Sequence, residues 1–148
     1  MKLYIDGDAL PNALKDIIIR AVNKLSIQTY VVANKKINVG KSNFIEYIVV
    51  NQGADVADNH IVELVKHNDL VITADIPLAD RIISKNAHAI DHRGELYTKS
   101  NIKQYLAIRD LMQSIRDSGE MTKGPSAFGK KDIQNFANSF NAFLQKHL

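Results

Sequence analysis

Through residue 91 the chain alternates short apolar runs with stretches whose apolar residues recur three and four apart, and this alternation narrows its possible folds more than any other feature. Residues 3–5 are apolar and run into Asp6-Gly7-Asp8, the pattern of a buried strand that stops at an acidic turn. Pro11 suits the first turn of a helix carrying Leu14, Ile17, Ile18, Ala21, Val22 and Leu25. A second strand is expected at 29–33, an exposed basic loop at 34–43 with Lys35, Lys36 and Lys41, and a third strand at 44–50, which Asn51-Gln52-Gly53 breaks. Then come a helix with Ala57, Ile61, Val62, Leu64 and Val65, a fourth strand at 70–73 ending in Ala74-Asp75, a helix opened by Pro77, and a short fifth strand at 87–90. Strand and helix in turn point to a three-layer α/β fold: a mostly parallel, five-stranded sheet between helices.

Beyond residue 91 the pattern changes. Asp91-His92-Arg93-Gly94 reads as a turn. Ile102, Tyr105, Leu106, Met112 and Ile115 mark a long amphipathic helix ended by Gly119, and Ile133, Phe136, Ala137, Phe140, Phe143 and Leu144 mark a last one whose phenylalanines are expected in the core. Residues 120–129, with Gly124-Pro125 and Ser126, form a loop long enough to suggest a functional one. The chain's 148 residues suit a single domain spanning 1–148. No apolar run approaches the roughly 20 residues of a membrane helix, and no signal-like stretch follows Met1, so a cytoplasmic protein without a membrane partner is expected. Zero cysteines exclude disulfides, thiolate metal sites and cysteine nucleophiles. Chemistry is left to oxygen and nitrogen groups.

In an open parallel sheet the ligand crevice lies beyond the carboxyl ends of the strands, where strand order reverses. Two expected strands end in acids there, the first at Asp6 and Asp8 and the fourth at Asp75, and an order of 3-2-1-4-5 would make those strands neighbours. Asp55 and Asp58 open the helix that feeds the fourth strand, on the same edge. Grouped carboxylates disfavour joint ionisation unless a cation compensates, and Mg²⁺ or Mn²⁺ is the natural compensator for oxygen donors. A hydrated hard cation can assist hydrolysis of a phosphodiester. Structural roles compete: Asp55 or Asp58 as a helix cap, Asp8 as a turn residue. The five histidines show no metal-ligand spacing. Arg93 and Arg109 are candidate phosphate contacts. Residues 1–91 hold 10 basic and 11 acidic groups and residues 92–148 hold 9 and 5, so an acid-rich front is joined to a basic back, an arrangement able to hold a metal beside a polyanion.

The residues also carry a resemblance. Asp6-Gly7-Asp8-Ala9-Leu10-Pro11, the run Ala54-Asp55-Val56-Ala57-Asp58-Asn59, and Asp69 through Thr73-Ala74-Asp75-Ile76-Pro77-Leu78-Ala79 resemble the YaiI/YqxD family, and Arg93-Gly94-Glu95, Arg109-Asp110 and Gly124-Pro125 continue the similarity along nearly the whole chain. That family in turn is similar to PIN-like nuclease domains, which implies strand order 3-2-1-4-5, a divalent metal on Asp6, Asp58 and Asp75, and nucleic acid as partner, RNA ahead of DNA. The same resemblance puts Asp8, Asp55, Thr73 and Asn59 in supporting places. The chain departs from the family pattern at Gly7 and Leu10, at Asp91-His92, and at Gly129 and Ile133, and no acid clearly matches the mid-chain PIN glutamate, for which Glu46 and Asp55 are the loose candidates. Two other functions are compatible with these residues: a catalytically inactive module that binds nucleic acid or a protein partner, and a haloacid-dehalogenase-like phosphatase with Asp6 as nucleophile and Asp8 as acid/base.

Overall fold

The computed structural model describes residues 1–120 and 126–148; Gly124-Pro125 of the long loop lies outside them. Its strands are β1 (Leu3–Asp6), β2 (Thr29–Ala33), β3 (Ile45–Val49), β4 (Leu70–Ile72), β5 (His88–Ile90) and β6 (Leu96–Tyr97). Its α-helices are α1 (Lys15–Leu25), α2 (Val56–Leu64), α3 (Ile76–Ser84), α4 (Ile102–Asp117) and α5 (Lys130–His147). One sheet runs β3-β2-β1-β4-β5-β6, parallel except for β6, which pairs antiparallel to β5. The five expected strands are present in the expected order, and a sixth extends the sheet. Residues 12–14 differ slightly from expectation, forming a 3-10 turn ahead of α1.

Side-chain alternation along each strand divides the core in two. Leu3, Ile5, Val31, Leu70, Ile72 and Ile90 face α1 and α5, where Ile18, Val22, Phe136 and Phe140 close one layer. Tyr4, Val32, Val71 and Ala89 face the other way, onto Ile61 of α2, Leu78 and Ile82 of α3, and Ile102 of α4. A strand covered on both sides gains nothing from a polar residue, which is why β1 and β4 are continuous apolar runs. The phenylalanines of α5 are core, as their spacing indicates.

The turn after β5 is built by Asp91, whose Oδ1 accepts from the backbone N–H of Arg93 (2.9 Å) and of Glu95 (2.8 Å). It brings the chain back as β6. Gly94 in this turn has φ +90° and lies against α5 so closely that a Cβ would stand 2.5 Å from the Asn135 carbonyl oxygen. Helix α4 docks through its first turns, where Ile102 is buried, Tyr105 lies edge-on to Tyr97 at 5.2 Å and Lys103 pairs with Asp80 at 3.0 Å. In its second half Met112 of the expected stripe is 37% exposed while Ile115 is half-buried, and off the stripe Ile108 is 47% and Leu111 58% exposed.

Candidate functional site: a carboxylate edge

Strands β2 and β3 lie on one side of β1 and strands β4 to β6 on the other, so the switch in strand order falls between β1 and β4. Ile5 is in register with Ile72, which sets Asp6 beside Thr73 where the two strands end. Thr73 is fully buried. Its hydroxyl donates to Asp6 Oδ2 (2.9 Å) and accepts the backbone N–H of Asp75 (3.0 Å), and Asp75 Oδ1 then accepts the N–H of Leu78 (2.9 Å). One short chain of hydrogen bonds thus ties the end of β1 to the first turn of α3. Asp75 is the N-cap of that helix, with Pro77 in the first turn.

Asp6 is half-buried. Loss of solvent is the main reason its carboxyl lies above the usual range; the Thr73 hydrogen bond acts downward, and the charges of Asp75 and Asp8 act upward. Asp58, in the first turn of α2, is pushed up to about 6, chiefly by burial, then by the charges of Asp75, Asp6 and Asp55, with Arg81 opposing. The charges of these carboxylates therefore act on one another across three elements. Yet among the described residues no three of His, Asp and Glu are grouped so as to hold a metal ion.

The remaining candidates are placed as follows. Both oxygens of Asp8 lie 3.0 Å from the backbone N–H of Asn34, so Asp8 fastens the end of β2 to the β1 turn. Asp55 has φ +64° and makes no side-chain capping bond; Asp58, one turn further on, lies within the helix. Asn59 Oδ1 accepts from Arg81 Nη1 at 2.8 Å. Glu46 is an exposed residue of the outer strand β3, paired with Tyr30 and so set back from the strand ends. Arg93 is engaged: Nη1 pairs with Asp132 at 3.0 Å, Nη2 donates to the Ser126 carbonyl at 2.6 Å, and the guanidinium lies 5.7 Å from the Phe128 ring centroid. Arg109 is on the exposed half of α4, 3.7 Å from Asp110. His92 is buried, and its Nε2 has no partner among the described residues.

Two residues were not singled out by sequence. Arg81 joins the site through its charge on Asp58 and its bond to Asn59, a contact between α2 and α3 that no spacing within either helix reveals. Asp69 is buried but structural, accepting the backbone N–H of Lys2 and of Lys66, each at 2.9 Å.

The chain matches the family profile described as "Uncharacterized BCR, YaiI/YqxD family" over residues 4–146. It is 67% identical over 147 residues to a "UPF0178 protein" of a Sulfurovum species, covering 99% of both chains. It is 63% identical over 148 residues to the "UPF0178 protein" of Sulfurimonas denitrificans, covering all of this chain and 98% of that one, and 60% identical over 146 residues to that of a Nitratiruptor species, covering 99% and 96%. No solved structure matches. With the profile spanning nearly every residue and relatives of this identity end to end, the chain belongs to the YaiI/YqxD family.

Proposed function

We propose that this protein is a divalent-metal-dependent phosphodiesterase acting on RNA, with Asp6, Asp58 and Asp75 holding the metal and Asp8, Asp55, Thr73 and Asn59 supporting them. The observation that carries this reading is the meeting of β1 and β4 at the switch in strand order, with Asp6 and Asp75 linked through Thr73 and both charges felt by Asp58. The donor set is carboxylate oxygen alone, which suits Mg²⁺ or Mn²⁺. Mg²⁺ commonly binds directly to one or two carboxylates and keeps its waters, so the three acids would hold it partly through those waters, since no three acids are grouped in a closed cage among the described residues. Such an ion supplies positive charge for a phosphodiester under attack by water. Lys35 and Lys36 follow Asn34, which is tied to Asp8, so two exposed cations stand beside the edge and suit a phosphate backbone. Because Arg93 is committed to Asp132 and Ser126, phosphate contact falls to Lys35 and Lys36 instead.

A second reading, a nucleic-acid-binding module without catalysis, is favoured by the structural employment of Asp75 as a helix cap and Asp8 as a strand fastener. The phosphatase alternative suffers from the same bond, since its acid/base would be Asp8, with both oxygens on the Asn34 amide. A fluorescently labelled single-stranded RNA incubated with Mn²⁺, Mg²⁺ or chelator separates the readings. Cleavage in Mn²⁺ that disappears with chelator and in Asp6→Asn is the expected result. Salt-sensitive binding without cleavage, unchanged in Asp6→Asn, would establish the second reading instead.

A further inference from the structure

At the opposite edge of the sheet, where the parallel strands begin, lies a cleft of about 460 Å³. Its walls include Ile83 and the ring of Tyr97, and among the described residues no Asp or Glu lines it. Basic groups enter it from four directions: His67 after α2, His88 on β5, Lys99 ahead of α4, and Lys146 with His147 on the last turn of α5. Asn86, after α3, is neutral and accepts from Lys99 Nζ at 2.7 Å. Among the described residues neither lysine has a carboxylate partner.

The histidines are crowded. The rings of His88 and His147 are 4.8 Å apart, and Phe143 lies edge-on to the first at 5.0 Å and stacks on the second at 4.1 Å. His88 Nε2 is buried without a hydrogen-bond partner among the described residues. Burial, then the charges of His147 and His67, hold the His88 imidazole below its ordinary pKa. The end of the α5 dipole accounts for cations at Lys146 and His147, but it does not account for Lys99 or for the unpartnered His88 in the same cleft. A dianion placed between them would relieve the repulsion and compensate all five groups.

We propose that this cleft binds a phosphomonoester of mononucleotide size, its phosphate on Lys99 and Lys146 with the histidines alongside and its organic part against Ile83 and Tyr97. The volume lies in the range of small-ligand pockets, and an apolar wall combined with convergent polar groups is the usual composition of one. The site is independent of the carboxylate edge and of the reading given to it.

The test is an NMR titration of the imidazole resonances with 5′-AMP and 5′-UMP at constant ionic strength, with inorganic phosphate and adenosine as separate arms. Saturable shifts are expected for His67, His88 and His147 and not for His60, which does not line the cleft. Either nucleotide should bind at least tenfold more tightly than inorganic phosphate, and adenosine should give no shift. Lys99→Ala with Lys146→Ala, both at exposed positions, should weaken binding at least tenfold. The proposal is overturned if neither nucleotide gives saturable shifts, if inorganic phosphate binds as tightly, or if the double variant binds as the parent does.

Discussion

The Thr73 hydroxyl donates to Asp6 Oδ2 across 2.9 Å, joining the ends of two neighbouring parallel strands by a side-chain bond that the backbone ladder does not provide. Since the same oxygen accepts the N–H of Asp75, one buried group orients two of the three principal carboxylates. Thr73→Val keeps the shape and removes both bonds, leaving a half-buried carboxylate and a backbone N–H short of a partner. A loss of about 1–3 kcal/mol in urea denaturation is expected, together with a higher Asp6 pKa by NMR titration. Thr73→Ser should retain most of both; an unchanged Asp6 pKa in the valine variant would remove Thr73 from the site.

Asp58 gives a pH dependence of defined sign. Its carboxyl is pushed up to about 6 in the folded protein, mainly by burial, whereas the unfolded chain releases that proton in the ordinary carboxylate range. Between those values the native state binds more protons, so its stability falls as pH rises through the window. Asp58→Asn abolishes this dependence. The variant should exceed the parent in stability at pH 7 by at most about 3 kcal/mol, with the difference gone near pH 4. Urea curves at four pH values check this, and a variant less stable than the parent at pH 7 contradicts it.

Gly94 offers the sharpest steric prediction. With φ +90° and a Cβ placed 2.5 Å from the Asn135 carbonyl, alanine must displace either the turn or α5. Gly94→Ala should lose more than about 2 kcal/mol and loosen the Arg93–Asp132 pair, visible as a fall in melting temperature.

Leu111 offers the opposite case. Although it is apolar, it is 58% exposed, whereas the buried anchor of α4 is Ile102. Leu111→Glu should change the stability of the isolated chain by no more than about 0.5 kcal/mol, whereas Ile102→Ala, at a buried position, should cost about 2–5 kcal/mol. Equal losses in the two variants would show that the second half of α4 packs after all.

How much of this was legible in sequence follows from how local each signal is. The five parallel strands, the helices between them and the acids at two strand ends declare themselves in windows of a few residues, because a strand buried on both faces must be apolar throughout and a covering helix must repeat every 3.6 residues. Asp6 and Asp75 could be placed on one edge because strand ends in a parallel sheet share a side. Strand β6 has two residues, Leu96–Tyr97, too few to show any period, and it exists because the Asp91 turn reverses the chain beside β5. Arg93 looks available to a phosphate until α5 brings Asp132 to it from 39 positions away. Arg81 looks like a solvent-facing helix charge until α2 sets Asn59 against it. The stripe of α4 has the spacing of a buried face, but periodicity records only which residues share a face. Whether another element covers that face is decided by packing, and here Met112 of the stripe is left 37% exposed.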